Sequence, residues 1–240
     1  MSQRTATKSR IASRTLAAVS VGAVLPVLLS LGLAAPASAE TDPEWAPVFE
    51  YLSANGVPQA TQDEVVAKIA AGEIPESLRA STVPVETYEE LLPTSHNLVE
   101  KFSDGSVRVT EFEVPDEEAL APGAGARAIT GCTYTTGTGY SNYANCSVNI
   151  VTELATTKFK ASYSRNAQFG QITAASTPQV VASYGSATLP TLSVIRAKSS
   201  GSLEALAQLH SYYTSHTGTS SEDLYLSLRV NASTAWSTNY

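Results

Sequence analysis

Histidine and cysteine are scarce in this 240-residue chain: three of the former, His96, His210 and His216, and two of the latter, Cys132 and Cys146. A closed zinc site asks for about four such ligands, so the donor set assigns no metal. The cysteines are also too far apart for a Cys-x-x-Cys redox pair. Gly-x-Ser-x-Gly, His-Glu-x-x-His, a phosphate loop with its Lys and a calcium loop of spaced Asp are all missing, and with them any cofactor or catalytic assignment. The second half of the chain has only Glu153, Glu204, Glu222 and Asp223 to serve His210 in a triad, and no motif arranges them. Positive charge is short as well. Fifteen Lys and Arg face 22 Asp and Glu, for a net charge of −7, a balance that disfavours nucleic acid or an anionic membrane as the main partner, and neither is expected.

Long apolar runs are absent after the first forty residues. Within those forty, Arg4, Lys8, Arg10 and Arg14 lead an apolar stretch from Leu16 to Leu33, and Ala37-Ser38-Ala39 is a small-x-small cleavage site. The pattern predicts a secretory signal peptide over 1–39, cut after Ala39. No other run reaches the about 20 residues of a spanning helix, so the expected product is secreted, extracellular and free of the membrane.

Residues 40–118 hold 18 acidic residues against Lys68, Arg79, Lys101 and Arg108, a balance of −14, whereas 119–240 come to +3. The acidic part, 40–114, predicts a small helical and hairpin region. Trp45, Val48, Phe49 and Leu52 recur at helical spacing between Pro43 and Asn55-Gly56. A second helix is expected from the capping box Thr61-Gln62-Asp63-Glu64 to Gly72. Residues 74–96 read as a surface connection. Asp104-Gly105 then suits a two-residue turn, pairing Phe102 with Val107 and Lys101 with Arg108. That register puts Glu100 and Glu111 among apolar residues, so either a longer loop or an exposed ribbon is needed. Residues 115–129 are a linker by composition.

From 130 to 240 the chain reads as short strands. Cys146, Val148 and Ile150 alternate with Ser147, Asn149 and Val151. Phe159, Ala161 and Tyr163 alternate with lysines and Ser162, and Leu224, Leu226, Leu228 and Val230 make the clearest period-two run. Gln171–Ala174, Val180–Tyr184 and Thr191–Ile195 are further candidates, and Leu203–Tyr213 is ambiguous between helix and strand. The predicted fold is mainly β: an antiparallel β-sandwich or flattened barrel with a small N-terminal helical and β-hairpin extension. Pairing Cys132 with Cys146 would staple the first strand of this domain to its second. Closing that loop is worth about 3 kcal/mol.

The disulfide loop carries no charge and holds Tyr134, Tyr140, Asn142 and Tyr143, a mixture suited to stacking on sugars or docking on a protein. The alternative is that these tyrosines turn inward and close one end of the sandwich. Asn145-Cys146-Ser147 and Asn231-Ala232-Ser233 match the N-glycosylation pattern. Three features together, Phe102-Ser103-Asp104-Gly105-Ser106-Val107-Arg108-Val109-Thr110, the Gly131-Cys132 entry returning through Asn145-Cys146, and the strand-rich tail, resemble those of uncharacterised secreted proteins of Gram-positive, especially actinobacterial, bacteria. The resemblance implies an exported product and transfers no functional residue. The expected function is non-catalytic recognition of a cell-wall glycan or an extracellular protein. The alternatives are a secreted inhibitor or toxin-like effector, and an atypical secreted hydrolase.

Overall fold

The computed structural model describes residues 43–115 and 131–240. The expected signal peptide and nearly all of the expected linker lie outside the described residues. Two antiparallel sheets face each other and do not close into a barrel, so the open sandwich is the form adopted. The first sheet has seven strands: β1 (Glu86–Leu91), β2 (Ser95–Lys101), β3 (Val107–Glu113), β4 (Thr133–Gly137), β5 (Tyr140–Thr152), β6 (Ala155–Asn166) and β7 (Gly170–Ala182). Its order is β1-β2-β3-β5-β6-β7, with β4 alongside the first half of β5. The second has β8 (Gly185–Ala187), β9 (Thr191–Arg196), β10 (Ala205–Ser215), β11 (Ser221–Val230) and β12 (Ala235–Thr238), in the order β12-β11-β10 with both β8 and β9 on β10.

Period-two patterning builds the space between the sheets. Val148, Ile150, Phe159, Ala161 and Tyr163 from the first sheet meet Ala205, Ala207, Leu209, Leu226, Leu228 and Val230 from the second, all buried. The ambiguous segment 203–213 is therefore strand over most of its length. Alternate residues of β10 from Ala205 to Ser215 are buried, a period that a helix cannot match. Two short expected strands, Gln171–Ala174 and Val180–Tyr184, are instead joined in one strand, β7, which takes in the second only as far as Ala182. Pro178 is tolerated there because β7 is an edge strand and bulges where Thr177 takes φ 51°.

The acidic half is built into this sandwich. β3 pairs with β5, from Arg108 opposite Thr152 to Phe112 opposite Val148, so the hairpin that was expected as an extension lies inside the larger sheet. Its register is shifted by one from the two-residue-turn expectation: Lys101 faces Val107 and Glu100 faces Arg108. Asp104 causes the shift. Its carboxylate accepts hydrogen bonds from the Ser106 amide (3.0 Å) and hydroxyl (2.6 Å), and the Phe102 amide bonds to the Ser106 carbonyl, which makes a five-residue loop. Val99, Val107 and Val109 thereby face the core, and Arg108 meets Glu100 at 2.7 Å. Residues 86–91, expected to lie in a surface connection, form an edge strand whose Glu86, Glu89 and Glu90 discourage further pairing.

Helices α1 (Ala46–Ala54) and α2 (Gln59–Ala70) close one end of the sandwich. Val48, Leu52, Val65, Val66 and Ile69 pack against Val99, Val107, Leu154 and Ala155 of the first sheet, and against Tyr213 and Leu224 of the second. The expected capping box falls inside α2, which starts two residues earlier behind Pro58. Fixed at φ −61° and ψ 145°, Pro58 leaves its carbonyl to accept from the Thr61 and Gln62 amides. The buried Gln62 bonds to the Val57 carbonyl at 2.7 Å, and Tyr51 donates to the Val151 carbonyl at 2.9 Å. The end of the sandwich under the helices is sealed.

Candidate functional site

A cleft of about 870 Å³ opens at the other end of the same strands. The chain direction places it there. β5 has Val151, whose carbonyl accepts from Tyr51 of α1, at the helical end and Tyr143 at the cleft, while β6 has Ala155 under the helices and Arg165 at the cleft. The turn from Leu92 to Thr94, His96 at the start of β2, and Phe112 and Val114 at the end of β3 form one wall. Thr234 and Ala235, leading into β12, reach the cleft from the second sheet. A volume of this size lies in the range of about 300–1,000 Å³ typical of small-molecule sites.

Its floor is a row of tyrosines set by strand register. Tyr134 on β4 lies directly opposite Tyr143 on β5, which lies directly opposite Tyr163 on β6. Residues directly opposite share a face, so the three rings stand side by side. Tyr143 stacks on Tyr163 with centroids 4.5 Å apart and planes 9° from parallel. Tyr134 lies 5.0 Å from Tyr143 at a tilt, and Phe112 extends the cluster 6.1 Å from Tyr163. Burial pushes the Tyr163 hydroxyl far above its ordinary pKa, so it is a neutral hydrogen-bonding group at any physiological pH.

Arg165 sits two residues beyond Tyr163 on β6 and therefore on the same face. One terminal nitrogen donates to the Tyr143 hydroxyl and the other to the Ser233 carbonyl, which ties the row to the second sheet. Its Cζ lies 5.1 Å from the centre of the Tyr143 ring. The Cys132–Cys146 disulfide is formed and clamps β4 to β5 beside this row. It bridges the bulge where Asn145 takes φ 59°, a conformation Asn tolerates better than most residues. The Glu113 carboxylate fixes the same corner, accepting from the Cys132 amide at 2.9 Å and the Ser147 amide at 2.7 Å.

Of the four residues expected to form a binding surface, the structure brings Tyr134 and Tyr143 to the cleft. Tyr140 and Asn142 are exposed and outside its lining, Tyr140 at the hairpin tip. Tyr134 and Tyr143 are half-exposed. His96, Phe112, Tyr163 and Arg165 were not anticipated as site residues. Only the alternation of Phe159, Ala161 and Tyr163 hinted that Tyr163 faces inward, and nothing linked it to Tyr134 without the register. Asn145 is exposed. Asn231 is engaged through its side-chain oxygen with the Ser233 and Thr234 amides at 2.8 Å.

Away from the cleft, His210 Nε2 and Asp223 Oδ1 lie 2.6 Å apart, with the imidazole stacked on Tyr225. The pair stands on the outer face of β10 and β11, with side chains 41% and 50% exposed. Among the described residues no Ser or Thr hydroxyl is hydrogen-bonded to the imidazole. No group of three or more His, Cys, Asp or Glu among the described residues is arranged to hold a metal. No family model, curated protein or solved structure matches the chain.

Proposed function

We propose that this protein is an exported, non-catalytic glycan-recognition protein whose ligand enters the cleft beside Tyr134 and Tyr143. The observation that carries the reading is the cross-strand tyrosine row within a cleft of about 870 Å³. Aromatic rings present flat apolar faces that pack against the C–H faces of sugar rings, while their hydroxyls hydrogen-bond at the edges. The row is held by strand register, a disulfide and an Arg165 hydrogen bond, so little side-chain entropy is lost when a ligand binds. Export is supported by the leader sequence and by a disulfide joining the only two cysteines.

Isothermal titration against soluble fragments of a Gram-positive cell envelope tests this reading. A saturable binding heat with wild-type protein and a loss of at least tenfold in affinity in Tyr134→Ala are expected, with Tyr140→Ala unchanged because that ring is outside the cleft. Removing an aromatic on which a nucleic-acid base stacks costs about 1–3 kcal/mol, and the middle of that range, applied to a sugar, exceeds a tenfold change in affinity. Absence of binding, or equal losses in the two variants, would refute it.

A further inference from the structure

We infer that the glycan taken by this cleft is acidic, with a sugar carboxylate received by Arg165 while its ring packs against Tyr134, the last ring of the tyrosine row. The inference rests on the glycan reading above and adds a charge to it. Its starting point is a local reversal of the chain's electrostatics. Acidic residues outnumber basic ones 22 to 15, yet among the described residues no Asp or Glu lines the cleft, whereas Arg165 and His96 do.

Arg165, like Arg79 and Arg196, makes no ion pair among the described residues. Arg108 meets Glu100 at 2.7 Å and Arg229 meets Glu204 at 3.7 Å, but Arg165 has no carboxylate within ion-pair distance among the described residues. Two of its five N–H groups are used, both on neutral oxygens: the Tyr143 hydroxyl and the Ser233 carbonyl. Its Nε is buried with no acceptor. A guanidinium that is half-buried, oriented by two neutral bonds and without a counter-charge among the described residues is prepared for a planar anion, and carboxylate matches the spacing of its N–H groups. The two bonds also serve as positioning. They hold the cation over the Tyr143 ring, next to the tyrosine faces on which a sugar would lie.

An array of acidic oligosaccharides tests the inference: hexuronate oligomers and amino-sugar disaccharides bearing a lactyl ether, each beside the same molecule with its carboxyls reduced to primary alcohols. Wild-type protein should bind the acidic forms on the order of tenfold to a hundredfold more tightly, the range expected for a charge-assisted hydrogen bond, and added salt should weaken them selectively. Arg165→Gln should erase the preference, with Arg165→Lys recovering part of it. Because Arg165 also anchors Tyr143, an Arg165 variant can lose structure, so competition on wild-type protein supplies an independent readout. Free galacturonate should displace bound oligomer where galactose does not. Equal affinity for acidic and reduced forms overturns the charge while leaving glycan recognition standing. Preference for a phosphate-bearing polyol polymer overturns the carboxylate. Failure to bind any member overturns both readings.

Discussion

Glu153 lies in the β5–β6 turn with one oxygen accepting from the Ser77 hydroxyl at 2.8 Å and the other buried without a partner. Burial, reinforced by the negative charge of Asp104, raises its pKa from 4.5 to about 7. The folded state therefore holds this proton more tightly than the unfolded state. The resulting stabilisation is full below about pH 4.5 and is lost as pH rises through about 7, a loss on the order of 3 kcal/mol. Glu153→Gln should flatten that part of the pH–stability curve and stabilise the protein at pH 8, as read by urea unfolding at several pH values. A variant curve parallel to wild type would contradict the assignment. Arg108, buried between Glu100 and the Ser77 carbonyl, makes the complementary case. Arg108→Met leaves the partly buried Glu100 without its counter-charge and should cost about 3 kcal/mol in the same assay. The double change Arg108→Met with Glu100→Leu should restore much of that loss.

At the scale of elements, strand periodicity was legible where one face of a strand meets the core and the other meets water. β5, β6 and β11 alternate as their sequences demanded. Register was not legible, because it hangs on contacts remote in sequence. The Asp104 loop shifts the β2–β3 hairpin by one residue, and nothing near Phe102 says that Asp104 will also receive the Glu76 amide at 3.0 Å. The tyrosine row has the same origin: Tyr134, Tyr143 and Tyr163 align only once β4, β5 and β6 are in register. The place of Arg165 beside this row depends on the same register, since it lies two residues beyond Tyr163 on β6. The disulfide beside the row was readable from two cysteines. Replacing both with serine should remove about 3 kcal/mol of stability, as measured by chemical unfolding.

For the whole molecule, the consequential fact is that β3 and β5 are hydrogen-bonded partners although residues 116–130 separate the parts of the chain they come from. The acidic half supplies three strands of the seven-stranded sheet and the helices that cover its end. A protease site introduced between residues 118 and 127 should thus yield two fragments that co-elute in size-exclusion chromatography under native conditions and separate only in denaturant. Fragments that part without denaturant would mean that the two halves are independent. Equally, residues 130–240 expressed alone should be poorly folded, since the core faces of Leu154, Tyr213 and Leu224 would lose their helical cover.

The placement of helices and cleft at opposite ends of shared strands also sets how the protein can be handled on a surface. The described chain begins at the sealed end, where Trp45 stacks on Tyr184 at 4.4 Å and Tyr184 donates to the Glu44 carbonyl. A tether attached just ahead of Pro43 emerges beside the helices, which turns the mouth lined by Tyr134 and Arg165 outward. Immobilised by that route on a biosensor chip, the protein offers every copy's cleft to ligand in the flow. Coupling through Lys158 or Lys160, part-way along β6, would lay the sandwich on its side.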